Sequence, residues 1–331
     1  MTLSKPRGEL RQVRKKEDSK NKPKATSPKP DNKEEQTKDK PPKYGPMPKF
    51  PKQRLWARGI LMVGVMAVVY FTSKNSREIC IAKQKDVLQH QAQDIACSNE
   101  IKAELMKFPG CAPARCGRLV SDKLVSATEA EMLLSLAQRG IGLGGSDGGA
   151  SILDLHSGAL SHGRTFTNIY MLEKAKNLFK KPDFAIYKIV KLKIQQAVAY
   201  HFGLDYTAIH LTHPTFFSRL TDAPPKTVHD EYWHPHVDKE TYESFHYTSL
   251  LYLSDYGKDF TGGRFVFVDK EFNKTVEPRK GRVLMFTSGS ENVHYVEPVT
   301  SGTRFAITVS FTCDKKFAIS DPNMNNFSRR R

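Results

Sequence analysis

The chain has 331 residues, of which 39% are hydrophobic and 26% are charged, and its formal net charge is +17. That length allows one sizeable domain with extensions, and the apolar content is sufficient for a buried core. Residues 1–58 contain 18 Lys/Arg and 7 Asp/Glu, a net charge of +11, which leaves +6 for the rest of the chain. Most of the positive charge therefore lies in one terminal segment, which could be a nucleic-acid-binding arm. The apolar segment that follows it favours a juxtamembrane tail instead, so we expect no nucleic-acid partner.

The N-terminal segment, residues 1–54, is rich in Lys, Pro, Glu and Ser and has almost no apolar side chains between Lys15 and Lys49. Such a composition cannot bury enough apolar surface to fold, so it predicts a disordered basic tail. Residues 59–73 are uncharged and mostly apolar, and as a helix they would span about 22 Å, short of the ~30 Å of a bilayer core. If Arg58 extends its charge to the interface, residues 55–57 lengthen the span. We therefore predict a transmembrane signal anchor at 55–73. A cleaved signal peptide and a buried core helix fit less well, because a long charged tail precedes the segment.

The distribution of basic residues predicts the orientation of this anchor. Residues 39–58 contain six Lys/Arg and residues 74–90 contain four, which favours a cytoplasmic N-terminus and a lumenal remainder, as in a type II protein of the endoplasmic reticulum or Golgi. Two glycosylation sequons, at Asn273 and Asn326, would be usable on that side. All five cysteines follow the anchor, where disulfides persist: Cys80, Cys97, Cys111, Cys116 and Cys313. Cys111 could pair with Cys116 and Cys80 with Cys97, but an odd count leaves one over and the sequence does not assign the pairs.

Beyond the anchor, helix signals come first and strand signals follow. Residues 74–117 are charged and predict a lumenal stalk, and a strand is expected at 118–124. Ser126 and Glu129 form a capping box that opens a helix ending at Gly140, and the glycine-rich residues 140–149 predict a flexible connector or lid. A second helix is expected at 183–202, with Gly203 as its end. After Tyr206 the pattern is one of short strands and turns. This order predicts an α+β domain at 118–315, mainly β, as a jelly roll braced by helices, and a solvated tail at 316–331.

The chemistry-bearing residues lie in the strand-rich half. On a β-strand His236 and Asp238 would project from one face, and with the distant His294 they would form a 2-His-1-carboxylate set, which suits non-haem Fe(II). Other histidines compete for this role, because His229, His234 and His246 are close by and a histidine-rich surface loop is a simpler interpretation. Arg304 opens an apolar run that reads as a buried strand, where a guanidinium could hold a carboxylate through two hydrogen bonds. A metal and an anion site together predict an oxygenase that uses a keto acid.

Residues 121–313, about 190 of the 331, resemble the catalytic domain of the prolyl 4-hydroxylase branch of the 2-oxoglutarate- and iron-dependent dioxygenases. The resemblance is carried by the segments 229–238 (HDEYWHPHVD), 248–253 (TSLLYL), 262–267 (GGRFVF), 278–286 (PRKGRVLMF), 294–298 (HYVEP) and 302–307 (GTRFAI).

The resemblance implies a double-stranded β-helix and specific roles for individual residues. His236, Asp238 and His294 match the iron ligands, and Arg304 matches the residue that binds the distal carboxylate of 2-oxoglutarate. Tyr252 and Thr308 are further candidates for that pocket, and no catalytic side chain is expected beyond the metal site. Fe(II), O₂ and L-ascorbate are the other implied cofactors and cosubstrates. Collagen-type enzymes have lysine in place of Arg304, so collagen is not implied as the substrate.

The implied activity is hydroxylation of a protein, plausibly at proline, with release of succinate and CO₂. A jelly-roll module that binds a metal without turnover and a zinc hydrolase with a His/Asp/His site are the alternatives; Arg304 argues against the hydrolase, which needs no buried cation there. Tyr232, Trp233 and Tyr242 flank the metal motif and could line a peptide groove or simply pack. The substrate and the oligomeric state stay open.

Overall fold

A computed structural model describes residues 51–75 and 78–322. Its α-helices are α1 (Gln53–Asn75), α2 (Asn99–Leu105), α3 (Ala127–Ile141), α4 (Lys181–Phe202) and α5 (Asp238–Thr241). Its strands are β1 (Glu78–Ala82), β2 (Gln91–Ile95), β3 (Cys116–Ser121), β4 (Gly145–Ser146), β5 (Ala150–Leu153), β6 (Ala159–Gly163), β7 (Thr165–Asn168), β8 (His210–Leu211), β9 (Phe216–Thr221), β10 (Tyr247–Tyr252), β11 (Phe260–Gly262), β12 (Phe265–Phe267), β13 (Asn273–Val276), β14 (Val283–Thr287), β15 (His294–Val296) and β16 (Val299–Thr312).

Helix α1 coincides with the predicted membrane anchor. Its part from Gln53 to Thr72 is long and apolar enough to cross a membrane, and none of it is buried against other residues. The predicted tail, residues 1–54, lies outside the described residues except for its last four positions, and so does the sequon at Asn326.

The strands form two sheets. A small sheet has the order β1-β13-β12-β15, and a large sheet has the order β2-β3-β14-β10-β16-β9-β5-β6-β4, with β8 and β11 also paired to β16 and β7 paired to β6. Most pairs are antiparallel; β1 with β13 and β4 with β6 are parallel. The long strand β16 holds the large sheet together, because β10 pairs with one of its edges and β9 with the other.

The side chains of β16 alternate between two environments, as a half-buried strand requires. Phe305, Ile307, Val309 and Phe311 belong to the same buried cluster as the apolar faces of α3 and α4. Residues 304, 306, 308 and 310 project to the opposite face. The helices therefore cover one face of the large sheet and leave the other face free to form a site.

Helix α3 begins at its predicted capping box, and helix α4 ends at its predicted glycine. The Ser126 hydroxyl accepts the Glu129 N–H, and the Glu129 carboxylate accepts the Ser126 N–H, which completes the capping box of α3. Helix α4 ends at Gly203, whose φ of +69° lies in the left-handed region that favours glycine. These two predictions are confirmed to within two residues.

The segment predicted as a stalk, residues 74–117, is instead largely part of the domain. Strand β1 pairs with β13 and β2 pairs with β3. Ile101 and Leu105 of α2 are buried in the main core. The stalk prediction was wrong from residue 78 onward, because these short strands are stabilised by partners distant in sequence rather than by a local pattern.

The glycine-rich segment 140–149 is held near its C-terminal end by hydrogen bonds to a buried carboxylate. The buried carboxylate of Asp230 accepts hydrogen bonds from the Ser146 hydroxyl and the Ala150 N–H, both at 3.0 Å, and from the N–H of Thr227 at 2.8 Å. A Cβ on Gly148 would lie 2.3 Å from the Asp230 carboxyl carbon, so glycine allows this close approach. The segment is fastened to the chain that leads into the metal motif.

The C-terminal tail predicted at 316–331 also packs in part on the domain. Ala318 forms a β-bridge with Thr212, the Ile319 N–H donates to the Leu211 carbonyl at 3.0 Å, and Lys191 pairs with Asp321 at 2.9 Å. The domain therefore extends past residue 315 to at least Asp321.

The cysteines pair differently from either combination considered above. Cys97 is bonded to Cys116, and Cys111 is bonded to Cys313, 202 residues away. Cys80 is free and partly buried. The first disulfide links two residues within the segment before Ser121, and the second links that segment to the residue after β16. The N-terminal part of the domain is therefore covalently held in place.

Replacing Cys111 and Cys313 together by serine should lower the free energy of unfolding by about 2–5 kcal/mol, because the crosslink closes a long loop in the unfolded chain. Chemical denaturation of the full chain in detergent measures the change. Cys80→Ser is the control and should leave stability within error. Peptide mapping under non-reducing conditions that recovers a Cys111–Cys116 link would contradict the structure.

Candidate metal centre and anion pocket

Three side chains predicted from sequence to bind a metal lie together in the structure. One ligand atom from each of His236, Asp238 and His294 lies within 4.8 Å of the other two. The Nε2 atoms of both histidines are 3.6 Å from Oδ1 of Asp238, and the two imidazole centres are 4.5 Å apart. His294 and Asp238 are buried, whereas His236 is partly exposed. Two imidazoles and one carboxylate at this spacing can bind a divalent transition metal on one face.

The two histidines are brought together by their own backbones. The N–H of His236 donates to the carbonyl of His294 at 2.9 Å, and the reverse bond measures 3.0 Å. The strand predicted through Asp238 is wrong, because the chain turns into the short helix α5 at this residue. The N–H of Lys239 donates to the Ser288 carbonyl at 3.0 Å and anchors that turn. The Asp238 carboxylate faces the imidazoles from the start of the helix rather than from a strand.

Hydrogen bonds fix the orientation of each of the three side chains. Nδ1 of His236 lies 2.9 Å from the His234 carbonyl, and Nδ1 of His294 lies 2.8 Å from the Asn292 carbonyl. A carbonyl only accepts, so each Nδ1 carries the proton and each Nε2 presents a lone pair toward Asp238. Burial lowers the pKa of His294. The lower pKa favours the neutral imidazole, which is the form that binds metals.

The free oxygen of Asp238 is held by a pair of hydroxyls. Oδ2 accepts the Thr248 hydroxyl at 2.6 Å, and that hydroxyl lies 2.9 Å from the hydroxyl of Ser288. Sequence reasoning gave neither residue a role, because each sits in or beside an apolar strand and nothing local distinguishes it from a packed hydroxyl.

The competing histidines do not join this cluster. His234 lies 3.1 Å from Glu231, His229 packs edge-on against Phe166, and the buried His246 faces Glu104 at 3.1 Å. Among the four neighbouring histidines of the described chain, only His236 contributes an imidazole to the group.

The cluster lies in the wall of a cavity of about 500 Å³. Both sheets contribute to the lining: Phe265 and Val296 come from the small sheet, and Leu250 and Phe286 come from the large one. The aromatic packing is close, since the His294 ring stacks on Phe265 at 4.9 Å between centres. A mostly apolar cavity of this size with a few convergent polar groups is typical of a small-molecule site.

Arg304 contributes a cation to the same cavity. It is 2% exposed, its Nε donates to the Gly263 carbonyl at 2.9 Å, and its Nη2 has no hydrogen-bond partner among the described residues. No carboxylate in the described part of the chain forms an ion pair with it. Burial lowers its pKa. Leaving a buried charge unpaired costs about 3–5 kcal/mol, so the site is built for an anionic ligand.

Tyr252 and Thr308 are the other residues predicted for the anion pocket. Tyr252 lies beside Arg304, and Thr308 lies in the cavity wall. The Tyr252 ring centre is 5.3 Å from the Arg304 guanidinium, and its buried hydroxyl has no partner in the described structure. Burial raises the pKa of Tyr252 to about 12, so it stays a neutral donor. Two unpartnered donors side by side fit a carboxylate. Thr308 lines the cavity on the same face of β16 as Arg304.

The aromatic residues around the metal motif are divided between lining and packing. Tyr232 and Tyr242 line the cavity. The Tyr232 oxygen accepts the Val299 N–H at 3.1 Å, which leaves its proton available to a ligand. Trp233 packs against the Tyr232 ring at 5.3 Å between centres.

The metal cluster and Arg304 both lie within a region that matches a known family. Residues 226–312 match the model of the 2OG-Fe(II) oxygenase superfamily. The chain is 50% identical over 275 residues to the 2-oxoglutarate and iron-dependent oxygenase domain-containing protein 3 of Xenopus tropicalis, with 81% of this chain and 86% of that protein covered. It is also 42% identical over 71 residues to prolyl 3-hydroxylase 2 of Homo sapiens, 20% of this chain and 10% of that protein.

A solved prolyl hydroxylase from Trichoplax adhaerens, in complex with a peptide of the hypoxia inducible factor oxygen degradation domain, aligns over 66% of this chain and 90% of its own, at 14% identity. The TM-score is 0.40, which is too low to support a functional conclusion.

Replacing Thr248 by valine should weaken divalent-metal binding by about 10- to 100-fold, because Asp238 loses the hydroxyl that orients it. Titration of the metal-free protein with Mn(II), followed by the resonance of free Mn(II), measures this. The neighbouring Ser249→Ala is the control: its buried hydroxyl has no partner among the described residues, so metal affinity should not change. Equal affinity of Thr248→Val and wild type would contradict the role given to Thr248.

Proposed function

The chain belongs to the 2OG-Fe(II) oxygenase family, and from this premise we propose that it is a membrane-anchored 2-oxoglutarate-dependent dioxygenase that hydroxylates a protein substrate, with proline as the favoured target. The observation that carries the proposal is the unpaired, buried Arg304 in the wall of the cavity that also holds the three metal-binding side chains. A site for a metal alone would not need that cation.

His236, Asp238 and His294 would hold Fe(II). Their donor types are those of non-haem iron sites, and the fixed Nδ1–H bonds leave the required Nε2 lone pairs in place. The iron, when bound, supplies the activation of O₂ and the oxidative decarboxylation of 2-oxoglutarate to succinate and CO₂, with one oxygen atom passing to the substrate as a hydroxyl group. Ascorbate would keep the iron in the ferrous state.

Arg304 would bind the distal carboxylate of 2-oxoglutarate, with Tyr252 as a second donor. The free Nη2 of Arg304 and the free hydroxyl of Tyr252 would then both be satisfied. Thr308, further along the same face of β16, lines the same cavity. The chain's own contribution is to orient the cosubstrate by its far end and to exclude water from the reacting end.

A peptide is the substrate class that we favour. Tyr242 and the partly exposed Phe166 line the cavity together with His229, which gives the mouth an aromatic wall suited to an extended chain. Proline is favoured by the local similarity to prolyl 3-hydroxylase 2, which covers 20% of this chain.

We further propose the double-stranded β-helix for the domain at 118–315 and a lumenal location for it. Strands of both sheets line the cavity between them, as such a fold requires. The apolar helix α1 supports a type II anchor, and two disulfides support an oxidising compartment. Asn273, which begins β13, is the described candidate for glycosylation.

Alanine at His236 or at His294 should abolish the formation of succinate, whereas His234→Ala should retain it. The reason is that His236 and His294 face Asp238, while the His234 side chain faces Glu231. The assay is succinate release from 2-oxoglutarate by the full chain with Fe(II) and ascorbate. Loss of turnover in all three variants would show that the ligand assignment is wrong, and no succinate from the wild type with any peptide would count against the enzyme.

Arg304→Lys should raise the KM for 2-oxoglutarate by about 10-fold, because lysine keeps the charge but loses the two-pronged geometry. Mn(II) affinity of the metal-free protein should stay within twofold. The matched control is Arg139→Lys, an arginine paired with Asp183 between α3 and α4. A larger loss of metal affinity than of 2-oxoglutarate affinity would contradict the role proposed for Arg304.

A further inference from the structure

Arg118 of β3 is a buried arginine that reaches the turn before His294. It lies N-terminal to residues 226–312, which match the family model, and it is 1% exposed. Its Nη1 and Nη2 donate to the carboxylate of Asp269 at 3.0 and 2.5 Å. Its Nε donates to the side-chain oxygen of Asn292 at 2.7 Å. Its guanidinium also lies 3.8 Å from the ring centre of Phe267, so one side chain joins three segments.

Asn292 connects Arg118 to the imidazole of His294. Its side-chain nitrogen donates to the Thr287 carbonyl at 2.8 Å, so with Arg118 the amide is held from both ends. Its backbone carbonyl accepts Nδ1–H of His294 at 2.8 Å. Because that bond sets the tautomer and the rotation of the ring, fixing Asn292 fixes the direction of the His294 lone pair.

The same N-terminal part of the domain also reaches the other side of the metal centre. Glu104 of α2 pairs with Lys239 at 2.7 Å, and Lys239 directly follows Asp238. The N–H of Ser98 donates to Glu291 at 3.2 Å, in the turn that also contains Asn292. The turns that present Asp238 and His294 are therefore both held by residues 98–118.

We propose that Arg118 is a positioning residue for the metal centre. Through Asn292, the Arg118 side chain holds His294 in its metal-binding orientation. The inference rests on the proposed function, since the metal gives the orientation its purpose. Metal binding then also depends on β3, which lies outside residues 226–312.

Stability alone does not account for a buried arginine at this position. Replacing a buried ion pair by an apolar side chain of similar volume is often neutral or stabilising. Asp269 retains 23% exposure of its side chain, so water can solvate it after Arg118 is replaced by methionine. The variant should therefore remain folded while the orientation of Asn292 is released.

The test is Mn(II) titration of the metal-free full chain in detergent, followed by the resonance of free Mn(II), with thermal unfolding recorded alongside. Arg118→Met should raise the Kd for Mn(II) by about 10- to 100-fold. Arg118→Lys should be weakened to a similar degree, because lysine keeps the charge and the bond to Asp269 but cannot also donate to Asn292. Arg139→Met, which removes an Arg–Asp pair that contacts no metal-binding residue, is the matched control and should leave the Kd unchanged.

Wild-type affinity in a folded Arg118→Met protein would overturn this inference and leave the proposed function intact. Absence of Mn(II) binding by the wild type would overturn both. If Arg118→Met does not fold, Asp269→Asn is the variant to test, because it weakens the bonds to the Arg118 guanidinium without removing that side chain. A several-fold weaker Mn(II) affinity of Asp269→Asn supports the role of Arg118. An unchanged Mn(II) affinity refutes it. Equal loss in Arg118→Met and Arg139→Met would mean that a general loss of stability, rather than positioning, is responsible.

Discussion

Two backbone hydrogen bonds between His236 and His294, 2.9 and 3.0 Å long, are the interaction on which the rest of the site depends. They join residues 58 positions apart and place both imidazoles on one side of the pair. His294 is in turn held in register by Phe267 across the small sheet. Because side chains alternate along a strand, a shift of one residue in either pairing would turn an imidazole out of the cavity. The candidate metal site is thus a consequence of strand register rather than of any single motif.

Burying charged groups in the cavity lowers the stability of the fold, and apolar packing elsewhere must offset that loss. Arg304 is buried with no carboxylate partner among the described residues, and the His294 imidazole and the Asp238 carboxylate are buried in the same cavity wall. The opposite face of the same sheet provides the compensation, because Phe305, Ile307 and Phe311 alternate with the cavity residues and pack against α3 and α4. One strand therefore carries both the polar site and the core that stabilises it, which is how a fold retains a locally destabilising functional group.

Elements defined by local pattern were predicted well, and elements defined by distant partners were not. Helix α3 follows from its capping box at Ser126, and α4 follows from its apolar periodicity and from Gly203. Strands β1 and β2 have no such pattern and exist because β13 and β3 pair with them. The free energy that orders residues 78–95 comes from contacts with parts of the chain far away in sequence, and the composition of the segment alone resembles that of a stalk.

The sequence by itself determined the chemistry available: an imidazole and a carboxylate two residues apart, a second imidazole, and an arginine that opens an apolar run and lies inside β16. It also determined the capping box of α3 and the glycine that ends α4, since these depend on neighbours within a few residues. Only the tertiary structure decided that Asp238 opens a helix, how the cysteines pair, and that Thr248 and Arg118 donate hydrogen bonds to Asp238 and Asn292. Each of these rests on hydrogen bonds, burial or covalent links between segments that the chain brings together only when it folds, and such contacts leave no local signature in the sequence.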